Sequence, residues 1–273
     1  MYKYKSIKKQ SVSSNDKKSI SEMSLNGIYL SEVVPGYRQL TVSGRGLTDT
    51  EFNTFKNDFT GLESVLNRKL KAKTITVKYQ LMAKNVQDFR FSFNKLNDIL
   101  INAEDNMFYI KFDDEPTHGY YGYFIDGAII EENDLYLVSE FNLFIPDPRK
   151  YSEEKTHIGQ STDIISGFGG MGGLLLTYLS VTASSNTVTL NIGDKYFYLN
   201  TKPGDVIELY WNRNKTQGNR NFSCVVNGVE DFRVLDLWGD IENSNYIKTT
   251  MYSRTYGATG GNINTIKYQH VYY

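Results

Sequence analysis

The sequence predicts a mainly β fold carrying one amphipathic helix, on three observations. The second half of the chain repeats short apolar runs broken by Gly, Pro and Asn turn signals about every 8–12 residues, the rhythm of an antiparallel sandwich. Residues 73–83 alternate strictly, with Ile75, Val77, Tyr79 and Leu81 on one side and Thr74, Thr76, Lys78 and Gln80 on the other. Residues 85–103 instead place Val86, Phe89, Phe93, Leu96, Leu100 and Ala103 at steps of three and four, a single helical stripe with Asp88, Lys95 and Asp98 away from it.

Composition supports this class and removes others. The 273 residues suffice for one large domain or two modest ones, and 21 Tyr and 15 Phe favour strands and contact surfaces. A net charge of −1 argues against a general nucleic-acid binder and gives no sign of sequence-specific nucleic-acid recognition. No apolar run reaches the roughly 20 residues of a membrane span. The N-terminal lysines have no apolar stretch behind them, so a secretory signal is not expected. Cys224 is the single cysteine, which excludes an internal disulfide and fits synthesis in a cytosol.

Along the chain, residues 1–24 are polar, and in the first eighteen Lys3, Lys5, Lys8, Lys9, Lys17 and Lys18 face only Asp16, with Glu22 following. That segment reads as a mobile arm or an edge strand, either a solvated terminus or an arm that orders on a neighbour. β-like runs follow at 25–34 and 37–43, separated by Pro35-Gly36. Thr48-Asp49-Thr50-Glu51 has capping-box spacing ahead of Phe52, Phe55 and Phe59, so a short helix is expected there, with a docking loop as the alternative. After the main helix come strands at 107–112, 119–130 and 135–145, ended by Pro146-Asp147-Pro148. Residues 151–166 look polar and irregular, which places a domain boundary near 155: a first domain over 1–155 and a second over 156–273. The second half offers strands at 174–181, 187–192, 195–199, 206–211, 222–226, 246–252 and 264–273. Asn227-Gly228 between Val226 and Val229 is its strongest hairpin signal, because both central residues of a type I′ turn need positive φ.

Catalytic chemistry finds no foothold. His118, His157 and His270 are scattered without metal-ligand spacing, and no cofactor motif is present. Cys224 sits in an apolar strand, and no nucleophile elbow occurs. Asp113, Asp114 and Glu115, and likewise Glu131 and Glu132, cluster at expected turns, where acids are ordinarily just solvated. The run Gly167-Phe168-Gly169-Gly170-Met171-Gly172-Gly173 lacks the Lys-Ser or Lys-Thr and the strand–turn–helix context of a phosphate loop, so it reads as a linker. Trp211 and Arg213 close a sandwich strand; they are candidates for stacking on and binding a sugar or for touching a partner, unless Trp211 packs in the core and Arg213 belongs to the turn.

The order of these pieces resembles a known family. Asn26-Gly27-Ile28, then Tyr37-Arg38-Gln39-Leu40-Thr41-Val42-Ser43-Gly44-Arg45, an alternating strand, an amphipathic helix, a strand pair, an acid-proline stop and an all-β half together are similar to the distal tail proteins (Dit) of siphophages infecting Gram-positive bacteria. The resemblance spans nearly the whole chain, as an element order rather than an invariant signature. It implies an N-terminal β-sandwich-like domain with one helix and a C-terminal galectin-like sandwich that projects outward. Six copies would close into a ring, which could stack on another. The ring would join the tail tube to the tail-associated lysin or tip protein and to receptor-binding proteins. Such a protein would be a non-enzymatic part of the virion, at the tail tip, with no cofactor and no membrane partner.

Within that frame, the acid-rich stretch 113–154, opposed only by Arg149 and Lys150, suggests a negative lumen or interface that repels passing DNA. Two other readings stay open: a lectin-like sandwich for host-surface attachment, and a glycosidase, which needs two convergent acids at about 5–10 Å. A major tail-tube protein is a structural cousin that would normally lack the second β domain.

Overall fold

A computed structural model of the chain describes residues 21–56, 62–102, 107–128, 135–159, 162–165, 173–192, 195–211, 222–236, 246–248 and 254–272. The lysine-rich segment before residue 21 and the glycine run before residue 173 lie outside them.

The first half builds one core from short elements. β1 (Met23–Leu25) and β2 (Ile28–Tyr29) form a hairpin on Asn26-Gly27, both at positive φ, and a single helical turn α1 (Leu30–Val33) leads to β3 (Tyr37–Ser43). The run expected as one strand over 25–34 is therefore a hairpin plus a turn: an Asn-Gly pair reverses the chain after Leu25. β4 (Thr50–Lys56) and β5 (Glu63–Leu70) then pair, among the described residues, only with each other. This corrects the helix expected at 48–59. Six of the seven β4 residues are exposed, so a helix there would have no core to face, while pairing with β5 satisfies the backbone.

β6 (Lys73–Met82), α2 (Val86–Ile101), β7 (Phe108–Phe112), β8 (Glu115–Gly127) and β9 (Tyr136–Ile145) complete the core. β6 lies between β3 and β9 and buries Ile75, Val77, Tyr79 and Leu81, the face its alternation marks. α2 packs on this core through Phe89, Leu96 and Leu100, with Ser92 also buried. Its N-cap is Asn85, whose side chain accepts a hydrogen bond from the Asp88 amide at 2.8 Å. Val86, placed in the stripe, is exposed in the first turn of the helix. β8 changes partners along its length: residues 119–122 pair with β7 and residues 123–127 with β9. Gly122 stands at the crossover, where a Cβ would lie 2.8 Å from the Phe144 carbonyl oxygen and against Ile145.

In the second half follow β10 (Lys150–Ser152), β11 (Lys155–Ile158), β12 (Thr162–Ile165), β13 (Gly173–Ala183), β14 (Thr187–Ile192), β15 (Lys195–Asn200), β16 (Val206–Trp211), β17 (Phe222–Val226), β18 (Val229–Glu230), β19 (Tyr246–Lys248), β20 (Arg254–Thr259) and β21 (Gly261–Tyr272). The expected irregular stretch 151–166 thus contains strands: β10 and β11 are recruited by β21, and β12 by β20. Two sheets, β17-β16-β13-β21 and β12-β20-β14-β15, enclose a second core that includes Leu174, Leu179, Val188, Leu190, Phe197 and Leu209. Asn227 and Gly228 turn β17 into β18 at φ 51° and 84°.

The two cores are stitched by the chain's last strand. β10 pairs with β8 on one side and β21 on the other. Gln269 Nε2 donates to the Tyr121 hydroxyl (2.8 Å) and to the Ser152 carbonyl (2.9 Å), and the His270 amide donates to Ser152 Oγ (2.9 Å). Tyr151, Leu175 and Val271 form a small buried cluster at this seam.

Candidate assembly surface

The most unusual surface is the β4–β5 hairpin. It belongs to neither core, yet Phe52, Phe55, Val65 and Leu66 are all more than half exposed, and Leu62, just before β5, is 68% exposed. Isolated two-stranded ribbons are marginal in water, and large exposed apolar side chains cluster where another protein binds. Sequence reasoning missed this surface. The signal was present, since Thr50, Phe52 and Thr54 alternate with Glu51, Asn53 and Phe55, but the capping-box spacing masked it.

At the foot of this hairpin lies a charged cluster. Asp113 and Asp114 form the β7–β8 turn and Glu115 opens β8. Asp113 accepts from the Tyr29 hydroxyl at 2.6 Å. Asp114 pairs with Arg45 at 2.9 Å, and Glu115 takes Lys150 at 2.6 and 2.7 Å and Arg45 at 3.4 Å. The Arg45 guanidinium also lies 4.0 Å above the Phe112 ring. Asp114 and Glu115 are thus engaged locally by cations, and Asp113 by a hydroxyl. Glu131 and Glu132 lie outside the described residues.

Trp211 is not a sugar platform. It is 3% exposed and packs between Phe197 and Phe222, at ring-centroid distances of 6.0 and 5.4 Å. Its place on β16 alternates with outward Tyr210, and the sandwich core claims the ring; stacking on a pyranose needs an exposed face. Arg213 lies outside the described residues. Cys224 is buried, and burial, with Asp231 and Glu230 near, pushes its thiol up to about 12, far from the thiolate that nucleophilic chemistry requires. His118 and His270 meet near the seam, where the His118 and Tyr272 rings touch edge to face at 3.7 Å. Burial lowers the affinity of both imidazoles for a proton, His270 to about 4. Among the described residues, no three of His, Cys, Asp and Glu gather as a metal-binding group.

The fold is similar to that of solved proteins from phage adsorption apparatus and baseplates. The structure of SPP1 Dit, described as a paradigm of the hub adsorption apparatus in phages infecting Gram-positive bacteria, matches it with a TM-score of 0.68 and 17% identity, over 93% of this chain and 100% of that one. A chain of the phage P2 baseplate in its activated, calcium-bound conformation matches with a TM-score of 0.51 and 9% identity, over 88% of this chain and 92% of that one. No protein-family model and no curated protein matches the sequence. The likeness is one of fold, and it covers both cores.

Proposed function

We propose that the protein is a structural, non-enzymatic hub of a phage tail tip. Six copies close into a ring that joins the tail tube to the tail-associated tip protein and to receptor-binding proteins, in the virion. The observation that carries this reading is the correspondence of fold with SPP1 Dit along that protein's entire length. The β4–β5 hairpin supports it: a closed ring needs a surface on each subunit that fits a different surface on the next, and an apolar ribbon reaching out of the core supplies one. The two buried cores suit a division near residue 155, the first forming the ring and the second facing outward as the galectin-like sandwich.

In this reading the turn Asp113–Glu115 acts as a strut that fixes Arg45 and Lys150, rather than as a bare negative wall. The lectin alternative loses its stacking platform with Trp211 in the core. Light scattering on a sizing column tests the proposal. A species of six times the 31.3 kDa chain mass, ring-shaped in negative stain, is expected. A monomer at every concentration, with no ring on addition of tail-tube protein, would overturn it.

A further inference from the structure

The loop after β3, the bases of β5 and β6, and the start of β10 surround an open cavity of about 1230 Å³. Its wall holds Arg45, Arg68, Lys73 and Lys150 together with Tyr120 and Leu70, and among the described residues no carboxylate lines it. The ammonium groups of Lys73 and Lys150 lie 5.5 and 5.7 Å from the centre of the same Tyr120 ring. Among the described residues Lys73 donates to neutral oxygens, Thr48 Oγ1 at 3.1 Å and the Gly46 carbonyl at 3.3 Å. Partial burial, and then the charge of Lys150, make its ammonium easier to deprotonate than usual, against the opposing pull of the Asp49 carboxylate. Arg45 Nε is buried there without a hydrogen-bond partner. Asp114 and Glu115 hold Arg45 and Lys150 in place from outside the cavity lining.

We propose that this cavity receives an acidic segment of a partner protein, one whose carboxylates alternate with apolar side chains. The positive wall calls for carboxylates, and Arg and Lys bind them with charge-assisted hydrogen bonds. The apolar part of the inference comes from continuity. Arg68 and Leu70 belong to β5, whose Val65 and Leu66 carry the apolar surface outward from the cavity mouth. A compact inorganic anion would leave that surface, and Tyr120 and Pro148, uncovered. The cations stand on separate segments around a wide cavity, and among the described residues no helix begins in its lining to cradle a phosphate.

The test is fluorescence anisotropy of a labelled peptide alternating glutamate and leucine, titrated into the full-length protein at low salt. A peptide with glutamine in place of glutamate is the control, and the doubly substituted Arg68→Gln, Lys73→Gln protein is the variant. Neither substituted side chain belongs to a core, so the variant is expected to melt with the native protein. Binding of the glutamate peptide that weakens about tenfold in the variant, and weakens with added salt, is expected. Four results overturn the proposal. They are equal binding of the glutamine peptide, an unaffected variant, and displacement of the peptide by inorganic phosphate, which would make this a small-anion site. The fourth is a native protein that binds no peptide while the variant loses self-association, which would place a second copy of the chain in the cavity.

Discussion

Single side chains here are read correctly only when their burial is known. Trp211 and Tyr198 are both aromatic strand residues in the second half, yet the first is 3% exposed and the second 47%. Trp211→Ala is expected to cost about 3–5 kcal/mol through the cavity it leaves, a loss that chemical denaturation would detect. His270 makes a second residue-scale prediction. Its folded-state proton affinity is depressed, from 6.5 to about 4, by burial and by the nearby Lys155 and His118 charges. The unfolded chain therefore takes up the proton first, so this contribution to stability is complete above about pH 6.5 and is lost as the pH falls towards about 4. Denaturation midpoints measured across that range should fall with pH, and His270→Gln should flatten the slope. A slope that His270→Gln leaves unchanged would assign the loss to other groups.

At the scale of elements, two-residue turns were legible wherever their chemistry was recognised. Asn227-Gly228 and Asn26-Gly27 are the same signal and make the same hairpin, with both residues at positive φ. The first was read from sequence as a turn, while the second was absorbed into a long apolar run. β4 and β5 were illegible for a different reason. Capping-box spacing and phenylalanines at steps of three and four fit a helix, and only the partner strand decides for the ribbon. Replacing Phe52 and Leu66 by Ser is expected to leave melting nearly unchanged, because both side chains are exposed, while the mass by light scattering drops below that of the native assembly. Unaltered assembly would show that the ribbon is not the contact. Gly122→Ala is the converse case. A methyl group between Phe144 and Ile145, where β8 changes partners, should destabilise the protein by about 1–3 kcal/mol without touching any exposed surface.

At the scale of the whole molecule, the seam ties the two cores together. β21 is the last strand in sequence, yet it pairs with β10, β11 and β13, and Gln269 reaches both Tyr121 and Ser152. Arg149 reinforces the seam by binding Asp147 through two nitrogens, at 2.7 and 2.8 Å, and by lying 4.7 Å from the Tyr246 ring centre. Cleaving or truncating the chain before residue 261 should therefore release β10 and β11 and loosen both cores, which hydrogen exchange at residues 118–122 would report. Protection there that survives truncation would show that the first half closes without β21.

The sequence by itself determined the elements whose cause is local: the period-two burial of β6, the stripe and Asn cap of α2, the Asn-Gly turn after β17 and the proline stop after β9. Each depends on side-chain spacing or on backbone preference within a few residues. Only the tertiary structure decided which apolar residues are core and which are surface. The rings of Trp211 and Phe52 have the same appetite for burial, and the difference lies in what stands opposite them. It also decided the fate of the charges. Arg45, Lys73 and Lys150 come from distant parts of the chain and meet only because β3, β6, β8 and β10 converge, so no spacing in the sequence could announce their common cavity.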